Sequence, residues 1–152
     1  RSSDLEFATS SAWGISYECR KLADRSDVVI IDTPPKADSD LRPALRAADL
    51  VLVPVAVSHL DLWATESVLD LAERVGCSAL IVMNRGKPGT RLSAQITEAA
   101  QDLSAPIAQA ALGNRVVYAE ALGLGRGVLE MPRSPAHAEV RALTSEVRAV
   151  LG

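Results

Sequence analysis

Apolar and polar positions alternate along the chain in two distinct rhythms. Nearly unbroken apolar runs occupy residues 28–32 (VVIID), 49–57 (DLVLVPVAV) and 78–84 (SALIVMN). Runs of this length, rich in Val and Ile, predict parallel strands covered by helices on both faces. Between them, apolar residues recur every three or four positions. Ala64, Val68, Leu71, Ala72 and Val75 share one face of a helix predicted over 61–75, which Gly76 stops. Leu92, Ile96, Ala99, Ala100 and Leu103 repeat that spacing, and Val140, Leu143, Val147 and Val150 mark a last amphipathic helix. Helices are also expected over 13–23, 39–48 and 116–122, with shorter strands at 5–9, 105–110 and 127–130. Strands alternating with helices of this length mean βαβ units, hence an α/β fold with a mainly parallel sheet and helices on both faces.

In such sheets ligands bind outside the carboxyl ends of the strands. The residues to weigh are therefore 32–35, 57–61, 84–87 and 113–115. Asp32 ends the first apolar run, and a carboxylate there is costly unless a cation or hydrogen-bond donor meets it. Hydrated magnesium beside a nucleotide's phosphates is one such partner. A helix cap or an arginine pair is the plainer alternative. Pro34 and Pro35 remove two backbone donors and disfavour helix, keeping the following segment open while the Thr33 amide can still donate. Asn84 ends the third run. Its amide offers donors and an acceptor to a base edge, or it serves as an ordinary turn residue.

Composition narrows the class. The 152 residues are 48% hydrophobic and 23% charged, with only 3% aromatic, so a core must be built from Val, Leu, Ile and Ala. A net charge of −3 argues against a globally basic nucleic-acid binder. Cys19 and Cys77 lack metal-type spacing and read as two reduced thiols of a cytoplasmic protein. No apolar run approaches the roughly 20 residues needed to span a bilayer. His59 and Trp63 flank the start of the helix after the second long strand. They read as a loop histidine and a packing or dimer-contact residue.

Four stretches, "DVVIIDTPP", "AADLVLVPVAVSHLDLWAT", "LIVMNR" and "LGNRVVYAEALGLGRGVLEMPRSPAHAEVRALTSEV", occur in the order and spacing of the ParA/MinD family. The chain resembles these deviant-Walker P-loop ATPases from about Asp27 onward, and the small ParA-like partition ATPases more than MinD. The resemblance implies a P-loop NTPase-like fold that uses ATP and Mg2+. It implies that Asp32 is the catalytic Walker B acid, holding magnesium through water and helping to position the attacking water. Thr33, Pro34 and Pro35 resemble the start of switch II. Asn84, with Arg85 beside it, corresponds to the adenine contact. Pro132 to Pro135 resemble the loop that closes over the base, with Pro132 a base-side contact, and residues 113–120 resemble the family's "rNv…eA" region. The implied partners are a second copy in a homodimer, a ParB-like centromere-binding protein and non-specific DNA, with no membrane. Arg85, Lys87 and Arg115 are the candidate DNA contacts.

One departure is large. The glycine-rich phosphate loop and its strand and helix are absent, and no GKT or GKS occurs. "RGKPGT" at 85–90 lacks the G-x-x-x-x-G-K-[ST] spacing. The reading is a single ParA-like domain over 1–152, truncated at its N-terminus. Alone it should not hydrolyse ATP, and it should aggregate through strand edges lacking a partner. The intact protein would dimerise on ATP, bind DNA and serve plasmid or chromosome partition. A pseudo-ATPase binding module, or another positioning or metabolic ATPase of the same class, is the alternative. MinD carries a basic amphipathic membrane tail. Here the last helix reads as core-packing, with Glu139, Arg141, Glu146 and Arg148 on a solvated outer face.

Overall fold

Residues 6–33, 41–56, 58–87 and 89–152 are described by the computed structural model. The chain divides into two units, one of Arg1–Val51 with Leu71–Ser78, the other of Leu52–Asp70 with Ala79–Gly152.

In the first unit a 3-10 turn, Ala12–Gly14, leads into helix α1, Ile15–Ala23, which packs against helix α2, Leu41–Ala47. Leu41, Ala44 and Leu45 bury one face of α2. Buried Cys77 rests against the Ala48 carbonyl, with Sγ 3.6 Å from that oxygen. Two ion pairs, Arg25–Glu6 at 2.9 Å and Lys21–Glu18 at 3.7 Å, lie on the exposed side.

Residues 28–33 depart from expectation. They carry no regular secondary structure, although a strand is predicted at 28–32. Exposure alternates along them, Val28 being 68% and Ile30 87% exposed, with Val29 and Ile31 half-buried. A strand is defined by hydrogen bonds to a neighbour, and among the described residues none lies beside this segment. Residues 6–9, expected as a strand, are likewise irregular, and Leu5 lies outside the described residues. The expected start of the second helix, at Ser39 and Asp40, also lies outside them.

Among the described residues the sheet is three-stranded and parallel, in the order β1 (Leu50–Val55), β2 (Ser78–Gly86), β3 (Leu112–Gly113). Leu80, Ile81, Val82 and Met83 of β2 are all buried. Side chains of successive strand residues face opposite sides, so both faces of this central strand are covered. That is the burial its unbroken apolar run predicts. Strand β1 is covered on one face only, with Val53 and Val55 buried and Leu52 and Pro54 exposed. Among the described residues it lies at a sheet edge, where Pro54 interrupts no interior ladder.

Helix α3, His59–Val75, leaves β1 and returns to β2. Its buried stripe is Leu62, Thr65, Leu69 and Ala72, shifted from the predicted stripe, in which Ala64 proves exposed. The hydroxyl of buried Thr65 donates to the Asp61 carbonyl at 2.7 Å, so the intruding polar atom is satisfied. Gly76 ends the helix at φ 74°, with Gly76 N donating to Glu73 O and Cys77 N to Ala72 O. These are the two bonds of a Schellman cap.

Helix α4, Arg91–Ala100, buries Ile96 and Ala100. The segment expected as a strand over 105–110 touches β2 only at Ile107, through Ile81 N to Pro106 O and Ala108 N to Ile81 O. Helix α5, Val116–Gly123, follows β3. Residues 128–130 form a 3-10 turn rather than the expected strand. Helix α6, Pro135–Leu151, starts with Pro135 in its first turn, where the missing N–H costs nothing. The Ser134 amide donates to His137 Nδ1 at 3.2 Å there.

Candidate functional site

The carboxyl end of β2 is the best-built corner of the sheet. Four buried residues carry the strand to Asn84, which lies opposite Leu112 of β3, while Gly86 lies opposite Gly113. The register slips between the two pairs. Arg85 takes up the slip at φ 54°, the only positive φ of a non-glycine among the described residues. Such a conformation is disfavoured for a side chain with a Cβ. Asn84 eases it by accepting the Arg85 amide on Oδ1 at 2.9 Å. That bond uses one of the two lone pairs of the acceptor. The Asn84 amide N–H2 has no partner among the described residues, and Asn84 itself is half-buried.

Beyond the kink, Arg85 and Lys87 are exposed. The loop that follows is tied to α4. Thr90 caps the helix by accepting the Ser93 amide at 3.3 Å, and Ser93 Oγ donates to the Lys87 carbonyl at 3.0 Å. The Lys87 carbonyl, Thr90 and Ser93 of this loop therefore serve a helix cap.

β3 is only two residues long, and α6 supplies what its ladder lacks. Glu139 accepts the Gly113 amide at 3.1 Å, Arg115 Nε at 2.8 Å and Nη2 at 2.6 Å, and the Tyr118 hydroxyl at 2.9 Å. Two turns on, Glu146 accepts the amides of Gln109 at 2.7 Å and Ala110 at 2.6 Å. These carboxylates do not sit on a solvated outer face as expected. The Glu139 side chain is only 15% exposed. They flank the apolar stripe of Leu143 and Val147 at helical spacing, and that placement was the one sequence signal available. Donors 21 to 37 positions away could not be read from it.

The electrostatics follow from this convergence. Burial alone would raise the Glu139 carboxyl. Hydrogen bonds from Arg115, the Gly113 amide and Tyr118, with the Arg115 charge, outweigh it and hold the group below the usual glutamate range. Burial, then the bond to Glu139 and its negative charge, push the Tyr118 hydroxyl up to about 12, against a smaller opposing pull from Arg115. Arg115, expected as a DNA contact, thus has its guanidinium engaged in an intramolecular pair. Its role visible here is packing the corner.

Asp32 and Thr33 belong to the first unit. Asp32 is exposed and in no ion pair among the described residues, and Thr33 is half-buried. An exposed carboxylate fits a magnesium ion held through water. Pro34 lies outside the described residues. Pro132 is exposed in the turn before α6. Among the described residues no helix is long and apolar enough to cross a membrane.

No family model matches the chain. It is 27% identical over 111 residues to the maintenance of carboxysome distribution protein A of Halothiobacillus neapolitanus. That match takes in 69% of this chain and 51% of the relative, so the chain spans about half the length of the curated relative it matches. The α/β fold with its parallel sheet is consistent with a P-loop NTPase-like fold.

Proposed function

We propose that the chain is part of a ParA-like positioning ATPase, contributing the acid and the base-reading edge of a Mg-ATP site. The observation that carries this reading is Asn84, at the carboxyl end of the central parallel strand, with its acceptor tied to Arg85 N and its N–H2 donors unpartnered among the described residues. A purine presents ring nitrogens that such donors match. Asp32 would hold the hydrated magnesium, and Thr33 and Pro34 would line the phosphate side. Bound magnesium would neutralise charge developing on the phosphates. Arg85 and Pro132 would border the base. The phosphate cradle would come from elsewhere in the gene product, because this sequence has no Walker-type glycine loop.

In the ParA-like reading, ATP drives homodimerisation. Leu60 and Trp63, 72% and 67% exposed and one turn apart on α3, offer an apolar contact for it. Arg85 and Lys87 would contribute to salt-sensitive, non-specific DNA binding. A small adaptor of the ParB kind would stimulate turnover. The cargo would be a large body to be distributed, such as a plasmid, a chromosome or, as the relative's name says of that protein, a carboxysome.

The test is ATP turnover by the full-length gene product beside Asp32→Ala and Asn84→Ala. Asp32→Ala should lower kcat by about 100-fold or more. Asn84→Ala should weaken ATP binding by about tenfold. Undiminished turnover in Asp32→Ala would refute the acid's assignment.

A further inference from the structure

The Glu139 carboxylate binds β3, α5 and α6 together, yet nothing in the proposed chemistry uses it. Its position is informative. After Ala108 the chain leaves the ladder with β2 and rejoins it at Leu112 and Gly113, with Asn114 N donating to Gly86 O at 2.9 Å. Two paired residues beside a register slip hold a strand weakly. In the gap, Glu146 takes the Gln109 and Ala110 amides. At the far side Glu139 takes Gly113 N, and through Arg115 and Tyr118 it fixes the start of α5. The fit is close, since a Cβ on Gly113 would lie 3.2 Å from both Arg115 Nε and Glu139 Oε1.

We propose that Glu139 is a positioning residue for base recognition: by anchoring Gly113, Arg115 and Tyr118 it sets the β3 wall against which Asn84 presents its amide. The inference rests on the reading of Asn84 as the base contact. Asn84 lies directly across from Leu112, one residue before Gly113. If Glu139 lets go, the wall moves relative to Asn84, and selection of the base suffers before binding of the phosphates does. Hydrogen-bonded selection is sensitive to sub-ångström placement, whereas charge attraction to phosphates is not.

The experiment measures equilibrium binding of ATP and of GTP to the full-length gene product and follows their ratio. Glu139→Ala should shrink the ATP preference about tenfold, mainly through weaker ATP binding. Glu139→Gln keeps one acceptor oxygen and should recover part of the preference. Tyr118→Phe, which removes one donor and no charge, should lower it about two- to threefold and carries the test if Glu139→Ala does not fold. Glu98→Ala, on exposed α4 surface, should leave it unchanged. A lower melting temperature with an unaltered ATP-to-GTP ratio in the Glu139 and Tyr118 variants would make Glu139 a structural brace only and overturn the proposal. Asn84→Ala separates the two claims. If it abolishes the preference while the Glu139 variants do not, only the inference fails. If it leaves the preference intact, the base contact itself is misassigned.

Discussion

Glu146 offers the sharpest test of the idea that α6 completes the sheet. Its carboxylate accepts the amides of Gln109 and Ala110 at 2.7 and 2.6 Å. The two amides differ in their alternatives. Gln109 is exposed, so water replaces the carboxylate at little cost. Ala110 is 8% exposed, and its N–H would stay dry and unpaired. Loss of a charged acceptor from a buried donor costs about 1.5–3 kcal/mol, and the exposed bond adds about 0.5. Glu146→Ala should therefore destabilise the protein by about 2–3 kcal/mol. For a domain of this size that lowers the melting temperature by about 5–10 °C. Glu146→Gln, which keeps one acceptor oxygen, should cost about 1 kcal/mol. Amide exchange on peptides covering 106–114, read by mass spectrometry, localises the effect. Protection should fall there in Glu146→Ala and hold across β2. A loss below about 0.5 kcal/mol, or unchanged exchange in that peptide, would show that the strand holds itself and that the α6 contacts are incidental.

Two further outcomes follow from the same structure. Tyr118 should ionise near pH 12 by phenolate absorbance, and Tyr118→Phe should remove that step. Because its folded value lies above the unfolded value of about 10, its contribution to stability is complete below pH ~10 and is lost as pH rises through about 12. The second concerns residues 28–33. With Val28 and Ile30 exposed and no strand beside them among the described residues, the 152-residue chain should self-associate. Replacing both with Lys should make it more monodisperse in light scattering; an unchanged, monodisperse parent chain would contradict this account.

The elements were legible in the sequence wherever a residue's own neighbours decide its state. The unbroken run at 80–83 needed burial on both faces, and it became the central strand. Gly76 was the residue able to adopt φ 74° and close a Schellman cap, so the end of α3 was written locally. Asn84 was marked as a site residue because it follows that run; the strand continues past it to Gly86, carried on by the pairing with Gly113. Tertiary structure alone decided two other matters. Residues 28–32 have the composition of a strand, but pairing belongs to two segments at once, and composition describes only one. Glu139 and Glu146 look like solvated charges on a terminal helix. Their fate depended on backbone amides dozens of positions away, left without ladder partners by a break in β3. A carboxylate's side of a helix follows from spacing, whereas its partner follows from the folded chain.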